Sequence, residues 1–109
     1  MKSWKYAEKR IAEWYSDLGP DASRKSTAQR GQAVEDIEWG KFSIEVKTRR
    51  TVPGYLHEWM EQAAANAVTK TPVVHWHQDH QHTENDFVVM RAQDFRYFMS
   101  VLMALLEKT

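Results

Sequence analysis

VEDIEWGKFSIEVKTR, residues 34–49, holds two runs in which apolar and polar side chains alternate, separated by Gly40-Lys41. Period-two alternation marks a half-buried strand, and a two-residue connection with glycine at its first central position suits a type II′ hairpin turn. The register follows from the turn. Trp39 faces Phe42, Glu38 faces Ser43, Ile37 faces Ile44 and Asp36 faces Glu45. Ile37, Trp39, Phe42, Ile44 and Val46 then share the core side, and Asp36, Glu38, Ser43, Glu45 and Lys47 share the other. Like charges directly opposed destabilise a sheet, so Asp36 against Glu45 calls for compensation. Lys47, two residues along the strand, offsets part of the repulsion. A hard divalent cation would do more, because Mg²⁺ takes one or two carboxylates and completes its shell with water and phosphate oxygens. A solvated charged sheet face is the plain alternative.

Working outward, Trp4, Ala7, Ile11, Trp14, Tyr15 and Leu18 recur at helical spacing and Gly19-Pro20 stops the run, which predicts a helix over residues 3–18. Residues 21–32 are polar, without periodicity, and carry Arg24, Lys25 and Arg30: a surface loop suited to an anion. Leu56, Trp59, Met60, Ala63, Ala64, Ala67 and Val68 predict a second helix between Pro53-Gly54 and Pro72. PVVHW (72–76) and DFVVM (86–90) read as two further strands, and Asp94 opens a last helix that is apolar around most of its circumference and calls for burial on two sides. The order α, β, β, α, β, β, α implies an α/β or α+β domain with a mixed sheet.

A chain of 109 residues, 42% hydrophobic and 28% charged, fits a single globular domain over residues 1–109. The absence of cysteine excludes disulfides and thiolate chemistry and leaves the cytoplasm as the default compartment. FMSVLMALL is too short to span a bilayer, and MKSWKYAEKR lacks the apolar stretch of a signal peptide, so no membrane association is expected. Formal net charge is zero, so any nucleic-acid footprint must be local.

Asp36 followed by Glu45-Val46-Lys47 resembles the split signature of the PD-(D/E)XK nucleases, an Asp on one strand and Glu-x-Lys on the next. Within that superfamily the chain looks like the archaeal-type and phage-type Holliday junction resolvases. AEKRIAEWYSDLG resembles their first helix, whose metal-associated glutamate matches Glu8, with Glu13 the alternative. SRKSTAQRG resembles their basic loop, and TVPGYLHEWMEQAAANA resembles the Pro-containing turn and Gln-bearing helix of phage-type members, which points to Gln62. Glu35 stands where the name motif has Pro, and the loop lacks the Ser-Gly run of many resolvases.

The resemblance implies a restriction-endonuclease-like core, a central mixed sheet flanked by helices. It implies Mg²⁺, with Mn²⁺ able to substitute, held by Asp36, Glu45, the Val46 carbonyl and Glu8. Lys47 would act on the attacking water or the transition state, with Gln62 behind. Arg24, Lys25, Arg30, Arg49 and Arg50 would grip DNA phosphates without reading bases. A four-way junction has two symmetric cleavage positions, so the implied resolvase is a homodimer in a bacterial, archaeal or phage-infected host cell, with the helix at 94–107 offering a self-complementary face. A repair or restriction-like nuclease and a non-catalytic nucleic-acid-binding protein that keeps the nuclease fold are the competing readings.

His75, His77, His80 and His82 within HWHQDHQH suggest zinc, since imidazole is its commonest ligand. His75 and His77 share a strand face. The spacing then enters a loop, with no helical pair and no carboxylate partner assigned, so a polar hairpin at the sheet edge or a loop touching nucleic acid is the simpler account. Trp4, Trp14, Trp39 and Trp59 fall on apolar faces and read as core.

Overall fold

The computed structural model describes residues 3–24 and 36–108. They form an α+β structure in two compact units, Met1–Arg49 together with Arg96–Thr109, and Arg50–Phe95. No described helix is long and apolar enough to cross a membrane.

In the first unit, helix α1 (Ser3–Leu18) ends where Gly19 turns to a φ of 71°, a left-handed conformation open to glycine. Strands β1 (Ala22–Arg24), β2 (Ile37–Trp39) and β3 (Phe42–Ile44) form an antiparallel sheet in the order β1-β2-β3. The hairpin register is the expected one, Ile37 with Ile44, Glu38 with Ser43 and Trp39 with Phe42. The turn is also as read: Gly40 has a φ of 56°, and Lys41 is not among the residues of positive φ, the pattern of type II′.

β1 is a correction, because Ala22–Arg24 falls where the sequence reads as loop. It pairs Ala22 with Trp39, Ser23 with Glu38 and Arg24 with Ile37. The Ser16 hydroxyl accepts the Ala22 N–H at 2.8 Å and ties the strand to the end of α1. With partners on both sides, β2 becomes the central strand, and α1 packs over β1 and β2. That is why Ile37 and Trp39 are fully buried. Trp39 lies 4.7 Å from the Tyr15 ring, and its indole N–H donates to the Pro20 carbonyl at 2.7 Å, so its one polar group is satisfied inside the core.

Helix α1 is rotated relative to the expected stripe. Ala7, Glu8, Ala12 and Tyr15 are buried, whereas Leu18 is exposed. Small alanines on the inner face allow close approach to the sheet, and the bulkier Trp14 is half-buried to one side. The helix at the C-terminal end of the chain, numbered α3 below (Ala92–Glu107), anchors here through Arg96, whose guanidinium lies 3.9 Å over the Trp14 ring and donates to the Trp14 carbonyl at 2.8 Å. Burial pushes the Tyr15 hydroxyl pKa up, an effect that the Arg96 charge partly opposes. Met103 is the one buried residue of α3, and Tyr97, Phe98, Val101, Leu102, Leu105 and Leu106 are exposed. Among the described residues, α3 is therefore not buried on two sides.

In the second unit, α2 (Gly54–Ala67) starts after Pro53 and packs on β4 (Val74–Trp76). β4 pairs antiparallel with β5 (Phe87–Val89), and a single 3₁₀ turn (Thr83–Asn85) lies in the connection. Tyr55, Trp59 and Trp76 meet edge to face, Trp59 and Trp76 at 4.9 Å between ring centres. The mixed sheet expected from the element order is replaced, among the described residues, by two antiparallel sheets of three and two strands. The three-residue strands leave little ladder for a parallel neighbour.

Candidate functional site

The hairpin and α1 together build an acidic cleft in the first unit. Glu8, Asp36, Glu45, Val46, Lys47, Thr48 and Arg49 line a space of about 410 Å³. Three separate segments supply them. The rotation of α1 that buries Ala12 and Tyr15 also carries Glu8 inward, one turn before Ala12, and Glu8 is only 4% exposed. Glu13 is exposed and is not among the residues lining the cleft, whereas Glu8 is.

Each acid has a compensating partner. Asp36 lies just ahead of β2, and its carboxylate accepts the Val46 N–H at 2.8 Å. Glu45 lies 3.2 Å from the Lys47 ammonium, with both side chains more than half exposed. Glu8 accepts from Arg24 at 3.4 Å. The repulsion inferred for Asp36 and Glu45 is thus offset by a backbone donor on one and the Lys47 ammonium on the other, and Arg24 balances Glu8 separately. A hard cation remains chemically suited to the cleft, since its acidic lining is three carboxylates, oxygen donors of the kind Mg²⁺ prefers. That fit rests on donor chemistry and not on a preformed cage: no three acidic, imidazole or thiol groups among the described residues converge as a ligand set.

The expected phosphate-binding residues separate. Arg49 lines the cleft. Arg24 belongs to β1 and reaches Glu8, so it is a partner of the acidic site and not a loop cation. Arg50 and Gln62 belong to the second unit and are not among the residues lining the acidic cleft. Lys25 and Arg30 lie outside the described residues.

A second polar cluster, in the second unit, centres on Asp86. Its side chain is 1% exposed and accepts from His75 Nε2 at 2.8 Å, His77 Nδ1 at 2.8 Å and Gln81 Nε2 at 2.9 Å. Burial alone would push this carboxyl up; hydrogen bonds from Gln81, His75 and His77, with the His77 charge, outweigh it and lower the pKa to about 2. The carboxylate partner missing from the histidine reading is therefore Asp86. Its signal was the β4–β5 register, which continues by one step from Trp76 with Phe87 to His77 with Asp86. The connection between these strands is ten residues long, too long for a two-residue hairpin turn to set that register in advance. A comparison with family models, with curated proteins and with solved structures finds no match to this chain.

Proposed function

We propose that the protein is a metal-dependent, structure-specific DNA endonuclease that hydrolyses phosphodiesters in branched DNA, four-way junctions foremost. The observation that carries this reading is the convergence of Glu8, Asp36, Glu45, Val46 and Lys47, from three separate segments, on one cleft. A helix-borne glutamate set against an Asp/Glu-x-Lys hairpin also supports a restriction-endonuclease-like core as the finer form of the α+β fold.

Asp36, Glu45, Glu8 and the Val46 carbonyl would hold Mg²⁺ or Mn²⁺, which when bound supplies a water of lowered pKa and a counter-charge for the scissile phosphate. The Val46 N–H fixes the Asp36 carboxylate in the cleft. Lys47, beside Glu45, orients the attacking water or neutralises charge that develops on the phosphoryl oxygens, a role suited to a compact ammonium. Arg49 in the cleft, with Lys25, Arg30 and Arg50, engages backbone phosphates, which makes binding salt-dependent and independent of base identity. Arg24 holds Glu8 and so acts on the site through a carboxylate. The exposed apolar face of α3 supports a twofold dimer matched to the symmetry of a junction.

A labelled four-way junction incubated with Mg²⁺ tests the reading. Cleavage is expected from the wild type, and Asp36→Ala and Lys47→Ala each lower the rate about 100-fold or more. Cleavage undiminished in both variants excludes this site. Linear duplex and flap DNA cut as readily as junctions would assign a repair or restriction-like nuclease. The partnered state of all three carboxylates favours a second reading, a non-catalytic nucleic-acid-binding protein. Calorimetry with Mn²⁺ separates the two, because a binding heat lost in Glu45→Ala belongs to the enzyme alone.

A further inference from the structure

In the second unit, β4 pairs with β5 along one edge only, and a groove of about 770 Å³ runs beside it. One face of α2, with Trp59, Ala63 and Ala67, forms one wall, and the consecutive residues Lys70 to His77 form the other. Successive side chains of a strand point to opposite faces. Trp76, and with it Val74, points toward α2, where the Trp76 and Trp59 ring centres are 4.9 Å apart; His75 and His77 point to the other face, where they bond the Asp86 carboxylate. A groove on either face would collect one of these sets. This one collects both and no residue of β5, which places it along the edge of β4 opposite β5.

Three features of that edge select its occupant. Every second residue turns its N–H and C=O outward there, and no protein group takes them up among the described residues. Pro72 has no N–H, so the stretch open to pairing is residues 73–77. Beside the edge, Ala63 and Ala67 are small and half-buried, so α2 leaves room for the side chains of an added strand. The outer edge of β5 has no such wall, because among the described residues no helix packs on β5. The third feature is charge. Asp86 balances the two imidazoles on the far face, and no acid lines the groove. Lys70, in the turn that joins α2 to β4, is exposed and has no ion pair among the described residues, so one end of the groove carries an uncompensated ammonium and the other the Trp59–Trp76 pair.

We propose that this groove binds an extended peptide segment of a partner protein, which pairs with residues 73–77 as a third strand of the β4–β5 sheet. Main-chain hydrogen bonds hold the segment, and its apolar side chains, at every second position, pack against α2. A carboxylate at one end of the segment meets Lys70. The site stands whether or not the acidic cleft hydrolyses DNA.

The test is a nitrogen-15 NMR titration of the full chain with a blocked peptide of alternating valine and threonine that carries glutamate at both ends. Shifts are expected to concentrate at residues 73–77 and along α2. Two further peptides, N-methylated at the valines or at the threonines, separate strand pairing from side-chain contact. Only one of the two sets of N–H groups faces β4, so one methylated peptide binds about tenfold or more weakly and the other keeps its affinity. Lys70→Glu weakens the glutamate peptide about threefold, and a peptide with lysine at its ends regains that loss. Absence of shifts at 73–77, equal binding of the two methylated peptides, or no effect of the charge exchange overturns the proposal. Shifts at 73–77 that follow protein concentration without peptide overturn it too, and assign the edge to a second copy of this chain.

Discussion

Glu8, Trp39 and Asp86 each place a polar group in the interior, and each has a partner there. For Trp39 the partner is the Pro20 carbonyl. Replacing it with Phe keeps ring contact with Tyr15 and leaves that carbonyl without its donor, at a cost of about 1–3 kcal/mol; Trp39→Ala costs about 3–5 kcal/mol, because it also opens a cavity at the centre of the sheet. Urea denaturation of both variants checks the ranking. Asp86 makes an acid-dependent contribution. Its folded pKa, about 2, lies below the ordinary 3.8, so the folded state favours the ionised form. The stabilisation is complete above about pH 4 and is lost as pH falls toward 2. Asp86→Asn removes this slope: thermal unfolding followed from pH 5 to pH 2 is expected to fall more steeply for the wild type, and parallel curves would refute the linkage.

At the scale of elements, the hairpin turn and α3 depend on one another. Gly40 sits at a φ of 56°, and a Cβ added there runs into the Met103 sulfur of α3. Gly40→Ala therefore combines a disfavoured backbone conformation with a clash and lowers stability by about 1 kcal/mol or more. Met103→Ala in the same background should recover part of the loss, a coupling read by comparing the single and double variants. The hairpin was legible because a two-residue turn determines every pair that follows it, from Trp39 with Phe42 to Ile37 with Ile44. Strand β1 was not. Ala22, Ser23 and Arg24 have no apolar alternation, and they are extended because Ser16 and β2 take up their backbone groups.

For the whole molecule, the apolar surface of α3 is the largest matter left open by one chain. Tyr97, Phe98, Val101, Leu102, Leu105 and Leu106 are exposed along a single helix, more than scattered surface hydrophobics account for. A twofold dimer through this face predicts about twice the monomer mass by analytical ultracentrifugation, and Leu102→Asp returns the chain to a monomer while its circular dichroism is unchanged. Wild-type protein that stays monomeric at micromolar concentration would rule the dimer out.

The hairpin register and the extents of α1 and α2 follow from the sequence alone, because periodicity and turn residues act over a few positions. It took the tertiary structure to bury Glu8 while leaving Glu13 exposed, to move Arg24 from a loop to a strand within reach of Glu8, and to join His75 and His77 to Asp86. Those outcomes depend on how a helix is rotated about its axis and on which distant donor reaches a carboxylate. Apolar residues spread around α1 leave that rotation undetermined until Ala7, Ala12 and Tyr15 meet the sheet.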